Sequence, residues 1–381
     1  MKLNIAVLSD LHCSTSPGES FLDCSVSTLP DPVCKLISLI KSQGLSAEIL
    51  LICGDISNKA DTSGTKYAWK QIYEIKKALK ARHLIATLGN HDVSRKRSTS
   101  SPFRGVKSLK DFPVKSSNAR KSYWGEHFCF EEKNNFRILV LNSAYDHGAS
   151  IERDHGKIDH GALDAIEKFL NGRPKKYFQI AIMHHHPIAH DIPYVTRNDL
   201  MLNGDTLISL LEKINFDIVI HGHKHYPRLR YAPGGYSALP IFASGSFSKI
   251  FDPVMSLITR NVFHLLAINK KNITDRVAGT ISTWEYGLTS WEPTTKRSAG
   301  FPAITGFGCR DPRLLSQQIG CWFNKRKGVG ISWELLSRKF PSVNNLIPKD
   351  FLEFEKFLDK QKLKILFGRN DVPEAIGRRG V

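Results

Sequence analysis

Apolar and polar positions along this chain fall into two kinds of block. Short, nearly unbroken apolar runs occur at 3–10 (LNIAVLSD), 47–55 (AEILLICGD), 83–90 (HLIATLGN), 136–144 (FRILVLNSA), 177–187 (YFQIAIMHHHP), 216–225 (FDIVIHGHKH) and 239–246 (LPIFASGS). Their length and branched side chains predict buried strands, each running out into polar residues. Between them, 32–42 (PVCKLISLIKS) and 67–79 (YAWKQIYEIKKAL) carry apolar residues at helical spacing, and 160–172 (HGALDAIEKFLNG) closes like a helix with a glycine cap. Strand and helix in alternation over the first two-thirds predict an α/β domain whose chain keeps returning to a central sheet.

After that the pattern changes. Small residues, glycine and proline gather in 292–308 (EPTTKRSAGFPAITGFG), which marks a boundary, and 381 residues exceed a single core. The expected division is a main domain over 1–295 and a C-terminal extension over 296–381. In the extension, 348–368 (PKDFLEFEKFLDKQKLKILFG) sets Phe351, Phe354, Phe357 and Leu358 on or near one helical face, with Pro348 at its start and Gly368 after its end. This predicts a small helical extension whose helix packs on the main domain. Trp284 and Trp291, flanking EYGLTS, predict a terminal hairpin.

Composition is ordinary for a globular chain, at 41% hydrophobic and 24% charged residues. No apolar run approaches the ~20 residues a bilayer-spanning helix needs, so no membrane partner is expected. The N-terminus fails as a signal peptide, and seven cysteines without a CxxC pair suit reduced thiols; both point to the cytoplasm. Charge alters the picture more. The formal net charge is +18. Residues 93–123 hold nine lysines and arginines against Asp111, and residues 296–381 hold 17 basic against 8 acidic side chains. These two segments carry nearly all of the excess, which makes nucleic acid a candidate partner. The serines, glycine and prolines of 93–123 predict an irregular loop.

The polar groups cluster where strands end, which is where α/β sheets bind ligands. Asp10 and His12 end the first strand, Asp55 the second, and Asn90 and His91 the third. His185 follows the fifth strand, and His223 and His225 the sixth. Residues two apart on an extended backbone point the same way, so DLH and HKH each present two side chains to one place. Four histidines fall within 181–190 alone.

The ordered set DLH at 10–12, GD at 54–55, GNHD at 89–92, HHP at 185–187 and GHKH at 222–225 resembles the calcineurin-like metallophosphoesterases over roughly residues 1 to 290. The resemblance implies a four-layer α/β/β/α sandwich of two mixed sheets with two divalent metal ions at one edge. It implies Asp10, His12, Asp55 and His225 on one ion, and Asp55, Asn90, His185 and His223 on the other, with Asp55 bridging. Oxygen and imidazole donors without thiolate suit Mn, Fe or Zn. The family's ligand two residues before the proline selects His185; His184 would then point to the opposite side of its strand, His186 would lie at the rim and His190 would face solvent. His91, next to a ligand without being one, is the expected general acid. Asp92 either orients His91 or is a solvated turn carboxylate. His221 and Cys13 are expected to have structural roles, and His155 and His160 are candidate substrate contacts.

The resemblance implies a phosphoesterase that takes a phosphate-ester substrate. The chain lacks the GDxVDRG and GNHE patterns of the serine/threonine protein phosphatases, so a phosphodiester, in a nucleotide or nucleic acid, is the expected substrate. A nuclease resembling the exonuclease of the double-strand-break repair complex is an alternative. A non-catalytic scaffold is another, although no ligand position is lost.

Overall fold

The computed structural model describes residues 1–24, 31–94, 101–147, 155–189, 200–234, 239–294, 301–309, 311–326, 328–368 and 371–379. The apolar runs become strands β1 (Lys2–Leu8), β2 (Ile49–Cys53), β3 (His83–Thr87), β4 (Phe128–Glu132), β5 (Phe136–Leu141), β6 (Phe178–Ile182), β7 (Ile218–His221), β8 (Arg228–Tyr231), β9 (Pro240–Ala243), β10 (Val262–Asn269), β11 (Ala278–Tyr286), β12 (Trp291–Pro293) and β13 (Ile304–Phe307). The helices between them are α1 (Pro32–Gln43), α2 (Thr62–Ala78), α3 (Arg104–Lys107), α4 (Ser117–Gly125), α5 (His160–Leu170), α6 (Gly204–Lys213) and α7 (Met255–Ile258).

One sheet runs β12-β11-β10-β1-β2-β3, with β13 also pairing with β11; the other runs β4-β5-β6-β7-β9-β8. Both are mixed, with β1, β2 and β3 parallel in the first and β5, β6, β7 and β9 parallel in the second. The two-residue period of a strand sorts the second sheet's side chains by face. Ile138, Val140, Ile180 and Ile182 join the core that contains β1 to β3. Leu139, Leu141, Ala181 and Val219 instead join the residues of α5 and α6. On the other flank α1 buries Val33, Leu36 and Ile40; Asp31 caps its start and Gly44, at φ 62°, its end. The result is the expected fold, two mixed sheets between helical layers.

Two segments differ from expectation. Residues 101–123 are packed: they form α3 and most of α4, and they bury Val106, Phe112, Val114 and Tyr123. The Trp69 indole donates to Lys110 O and the Ala86 amide to Pro113 O, which ties the segment to α2 and β3. Arg95, Lys96 and Arg97 lie outside the described residues. Past residue 295, Phe301 and Phe307 are buried in the main core, and β13 extends the first sheet. The terminal hairpin is β11–β12, and Trp291 stacks on Phe247 with its indole donating to Pro32 O.

The rest of the extension comprises α8 (Pro312–Asn324), β14 (Gly330–Ser332), α9 (Trp333–Lys339), α10 (Pro348–Lys360), β15 (Leu363–Phe367) and β16 (Pro373–Arg378). It has a three-stranded sheet besides its helices. The apolar face of α10 meets α8 in a separate core, where Phe354 and Leu358 pack with Ile319 and Phe323. The helical pattern of the sequence runs on to 368, but α10 stops at Lys360 and Lys362 takes φ 59°.

Candidate metal centre

Five strand ends meet at one edge of the sandwich. The chain leaves β1, β2 and β7 through a left-handed backbone: φ is 52° at Asp10, 49° at His12, 51° at Asp55, 81° at His223 and 57° at His225. None of these is glycine, and such conformations are costly away from functional sites. Asp10 and His12 are therefore not neighbours on an extended strand. They converge because each donates its amide to the β2 loop, Asp10 to Gly54 O and His12 to Asp55 O, both at 3.0 Å. The motif glycines permit close approach. A Cβ at Gly89 would collide with the Asp55 carboxylate, and one at Gly222 with Ser9 Oγ and Asp10 Oδ2.

Asp10, His12, Asp55 and His225 form one group, with donor atoms all within 4.8 Å of one another. His12 Nε2 lies 2.9 Å from His225 Nε2, 3.8 Å from Asp10 Oδ1 and 3.7 Å from Asp55 Oδ2. Burial works against the Asp10 carboxylate, but the hydrogen bond and charge of His225 prevail and take it down to about 2. Burial likewise opposes ionisation of Asp55, and His184 and His91 hold it well below the usual carboxylate range. His12 is pushed far down by burial.

A second group is His184, His185 and His223, with Asn90 beside it. His184 does not point away from the cluster. Its Nε2 lies 3.0 Å from Asn90 Oδ1, 3.3 Å from Asp55 Oδ2 and 3.3 Å from His223 Nδ1. Its Nδ1 donates to Cys53 O at 2.8 Å, which fixes the ring with Nε2 toward the cluster. Burial opposes its protonation, yet the charge of Asp55 raises it to about 9. His185 has the reverse arrangement. Ser143 Oγ accepts from the backbone amides of His184 and His185 and lies 2.8 Å from His185 Nδ1. Its hydroxyl proton therefore goes to Nδ1, and the imidazole's own proton sits on Nε2, which is buried without a hydrogen-bond partner. Burial pushes both His185 and His223 down, the latter to about 3.

His91 Nδ1 lies 2.8 Å from Asn58 Oδ1, and its backbone amide donates to Asp55 Oδ1. Its ring meets that of His12 edge-on, with centroids 4.7 Å apart. Asp92 neither orients His91 nor faces solvent. It accepts from the amides of Ile56, Ser57 and Gly89, bracing the GD loop against the GNHD loop, and burial raises it to about 6. His186, expected at the rim, is buried, with its ring stacked on that of His223. His221 is buried, with Nδ1 toward Gly222 O. His155 is held by Leu200 O, His160 opens α5 on the surface, and His190 lies outside the described residues. Asn58 and Ser143 were missed, because no motif spacing links them to the histidines they contact.

The donors fit divalent ions. Two buried carboxylates, an amide oxygen and imidazoles converge without a thiolate; burial keeps His12 and His223 neutral, and His184 would give up its second proton to a bound ion, since ligand imidazoles must be neutral. Asp55 Oδ2 faces both groups, as a bridging ligand must.

The model of the family described as calcineurin-like phosphoesterase matches residues 3–227. Among solved structures, the purple acid phosphatase PPD1 of yellow lupin (Lupinus luteus) seeds is similar at 15% identity and a TM-score of 0.48, over 75% of this chain and 52% of that one. The calcineurin-like phosphoesterase YfkN from Bacillus subtilis is similar at 14% identity and a TM-score of 0.38, over 80% of this chain and 89% of that one. The chain thus spans about half the length of the lupin phosphatase. No curated protein matches it. Among the described residues, no helix is long and apolar enough to cross a membrane.

Proposed function

The chain belongs to the calcineurin-like phosphoesterases, and from that premise we propose that it hydrolyses a phosphodiester at a pair of divalent ions, Mn, Fe or Zn. The carrying observation is the placement of Asp55 Oδ2, 3.7 Å from His12 Nε2 and 3.3 Å from His184 Nε2. Asp10, His12, Asp55 and His225 would hold one ion. Asp55, Asn90, His184 and His223 would hold the other, with His184 taking the place expected of His185. When bound, such a pair activates water and stabilises an in-line displacement at phosphorus.

The chain's own residues supply the rest. His185 presents Nε2–H as a hydrogen-bond donor beside the second ion's ligands. With Nδ1–H given to Asn58 Oδ1, His91 protonates the leaving oxygen from Nε2 as the imidazolium, with the second proton taken up from solvent; burial, which lowers its pKa, makes that imidazolium the stronger acid. Asp92 is the positioning residue that keeps both loops in register.

A nucleotide-sized diester is favoured over a nucleic acid strand at this site. Within the basic insertion, Arg120 is committed to Asp111 and Lys115 O, and Lys107 lies over the Trp124 ring. The repair-type nuclease is the second reading, and the full donor set weighs against a scaffold. All seven cysteines are unpaired, which supports a reducing, cytoplasmic setting.

The test is elemental analysis of the purified protein together with Mn²⁺-dependent turnover of bis-p-nitrophenyl phosphate, p-nitrophenyl phosphate and an oligonucleotide. About two metal ions per chain and preference for the small diester are expected. Absence of metal and of turnover across several added metals would remove the enzymatic reading, and preference for the oligonucleotide would favour the nuclease.

A further inference from the structure

The C-terminal unit carries a surface that the metal chemistry does not use. Its elements follow the order α8, β14, α9, α10, β15, β16, and its sheet runs β14-β16-β15. Three helices, the last two joined by a turn, are thus closed by a hairpin whose second strand pairs with the short strand after the first helix. This is the arrangement of a winged helix-turn-helix. The turn is 340–347, which buries Val343 and Leu346, and β15–β16 is the wing. The unit has its own core, in which Ile319, Phe323, Leu336, Phe354, Leu358 and Ile376 pack together.

The third helix turns Phe354 and Leu358 inward. At 3.6 residues per turn, spacings of seven and four place Lys349, Lys356 and Lys360 together on the opposite face, and all three are exposed. Lys362 and Lys364 continue the charge into β15, both exposed, whereas Arg378 on β16 lies over the Phe323 ring of α8. On this side Asp359 is already paired with Arg379, and Glu353, four residues after Lys349 and three before Lys356, shares the lysine face and offsets part of its charge. Residues 311–379 hold 14 basic and 8 acidic side chains.

We propose that this unit binds duplex DNA, with α10 lying in the major groove and the wing against the adjoining backbone. A 13-residue helix is about 20 Å long at 1.5 Å per residue. The major groove of B-form DNA admits such a helix, whereas that of A-form RNA is too narrow. Lysines act as point charges rather than bidentate forks, so the contacts are chiefly to phosphates and sequence preference is weak. An apolar hollow lined by Ile304, Trp333, Phe351 and Leu352 flanks α10 and adjoins the lysine face at Leu352. The inference is independent of the catalytic reading, because it rests on residues outside the metal centre.

The test is the fluorescence anisotropy of a labelled DNA duplex of about two helical turns, titrated with the full chain at several salt concentrations. Binding should weaken by about 0.9 in log K per contact for each tenfold rise in salt. The triple variant Lys349→Gln/Lys356→Gln/Lys360→Gln should bind roughly 10- to 100-fold more weakly near ~0.1 M salt and flatten that slope by about 2.7. Lys66→Gln/Lys70→Gln, on the exposed side of α2, should change neither. An unaltered thermal midpoint shows the triple variant to be folded, and hydrolysis of bis-p-nitrophenyl phosphate, measured in parallel, reports on the catalytic reading separately. The proposal is overturned by no duplex binding at low salt or by unchanged binding in the triple variant. Equal loss in the α2 variant, or equal affinity for an RNA duplex, overturns it as well.

Discussion

The histidine run provides the sharpest test of the metal centre, by comparison of His184→Ala with His185→Ala. His184 Nε2 has three ligand-type atoms within 3.3 Å, and its Nδ1 is anchored to Cys53 O. Removing it takes a donor from the second ion and leaves the buried Asp55 carboxylate without its nearest imidazole. His185 is held through Nδ1 by Ser143, with its proton on Nε2, so its removal subtracts a neighbour of the ligands. Changes outside the ligand shell cost about 10- to 100-fold in metal affinity or activity, and that is the range expected for His185→Ala. His184→Ala should exceed it, at ~10³-fold or more in kcat, with metal content falling from about two ions to about one. Breaking the Asp55–His184 contact should also destabilise the metal-free protein by roughly 3–5 kcal/mol, the usual effect of leaving a buried charge unpaired. Metal analysis, Mn²⁺-dependent hydrolysis of bis-p-nitrophenyl phosphate and urea unfolding of both variants measure all three. If His185→Ala loses the ion while His184→Ala keeps it, the tautomer argument from Ser143 and Cys53 is wrong.

His91→Gln should retain both metals and lose ~10²–10⁴-fold in turnover of a poor-leaving-group diester, with loss of metal refuting its role as the acid. Gly222→Ala drives a methyl into Ser9 Oγ and Asp10 Oδ2; overpacking of this kind costs ~1–3 kcal/mol, and weakened metal binding should accompany it in a metal titration. His264 is buried between Thr283 Oγ1 and Ser244 O, and burial pushes it down to about 3 from an ordinary 6.5. Its folded pKa lies below the unfolded one, so its contribution is complete above 6.5 and is lost as pH falls from there toward 3. Going from about pH 7.5 to 5.5 should remove about 1.4 kcal/mol, and urea unfolding of His264→Gln should lack that part of the pH dependence.

Much of the architecture was legible because strand burial leaves an unambiguous pattern. The runs ending in Leu8, Cys53 and Ile182 are apolar at every position, or nearly so, and became the centre of the two sheets. The side-chain directions after those runs were not legible. The extended backbone assumed for DLH and HKH is replaced by left-handed turns, and β6 ends at Ile182, so counting back from Pro187 does not say which histidine faces the site. Asn58, Ser143 and the bracing role of Asp92 depend on contacts between residues 33 to 42 apart, which no local spacing encodes. In the extension, the apolar rhythm of KLKILF continues the helical pattern, and only Gln361 and a left-handed Lys362, without a glycine to announce the turn, separate α10 from β15.

The strain at the centre bears on its function. Five non-glycine residues held at positive φ cost of the order of 1–3 kcal/mol each, and the same loops bring two carboxylates and several neutral imidazoles into contact, away from solvent. Such an arrangement persists only because the surroundings over-determine it: Asp10 and His12 are tied by their amides to the β2 loop, and Asp92 ties that loop to the next. The sheets therefore bear the cost of preorganising the donors, so that little reordering remains when cations arrive. Ions that bind only this folded arrangement stabilise it by RT ln(1 + [L]/Kd). The metal-free protein should accordingly be the less stable form, with opening that begins at the ends of β1, β2 and β7 rather than in the cores beneath them.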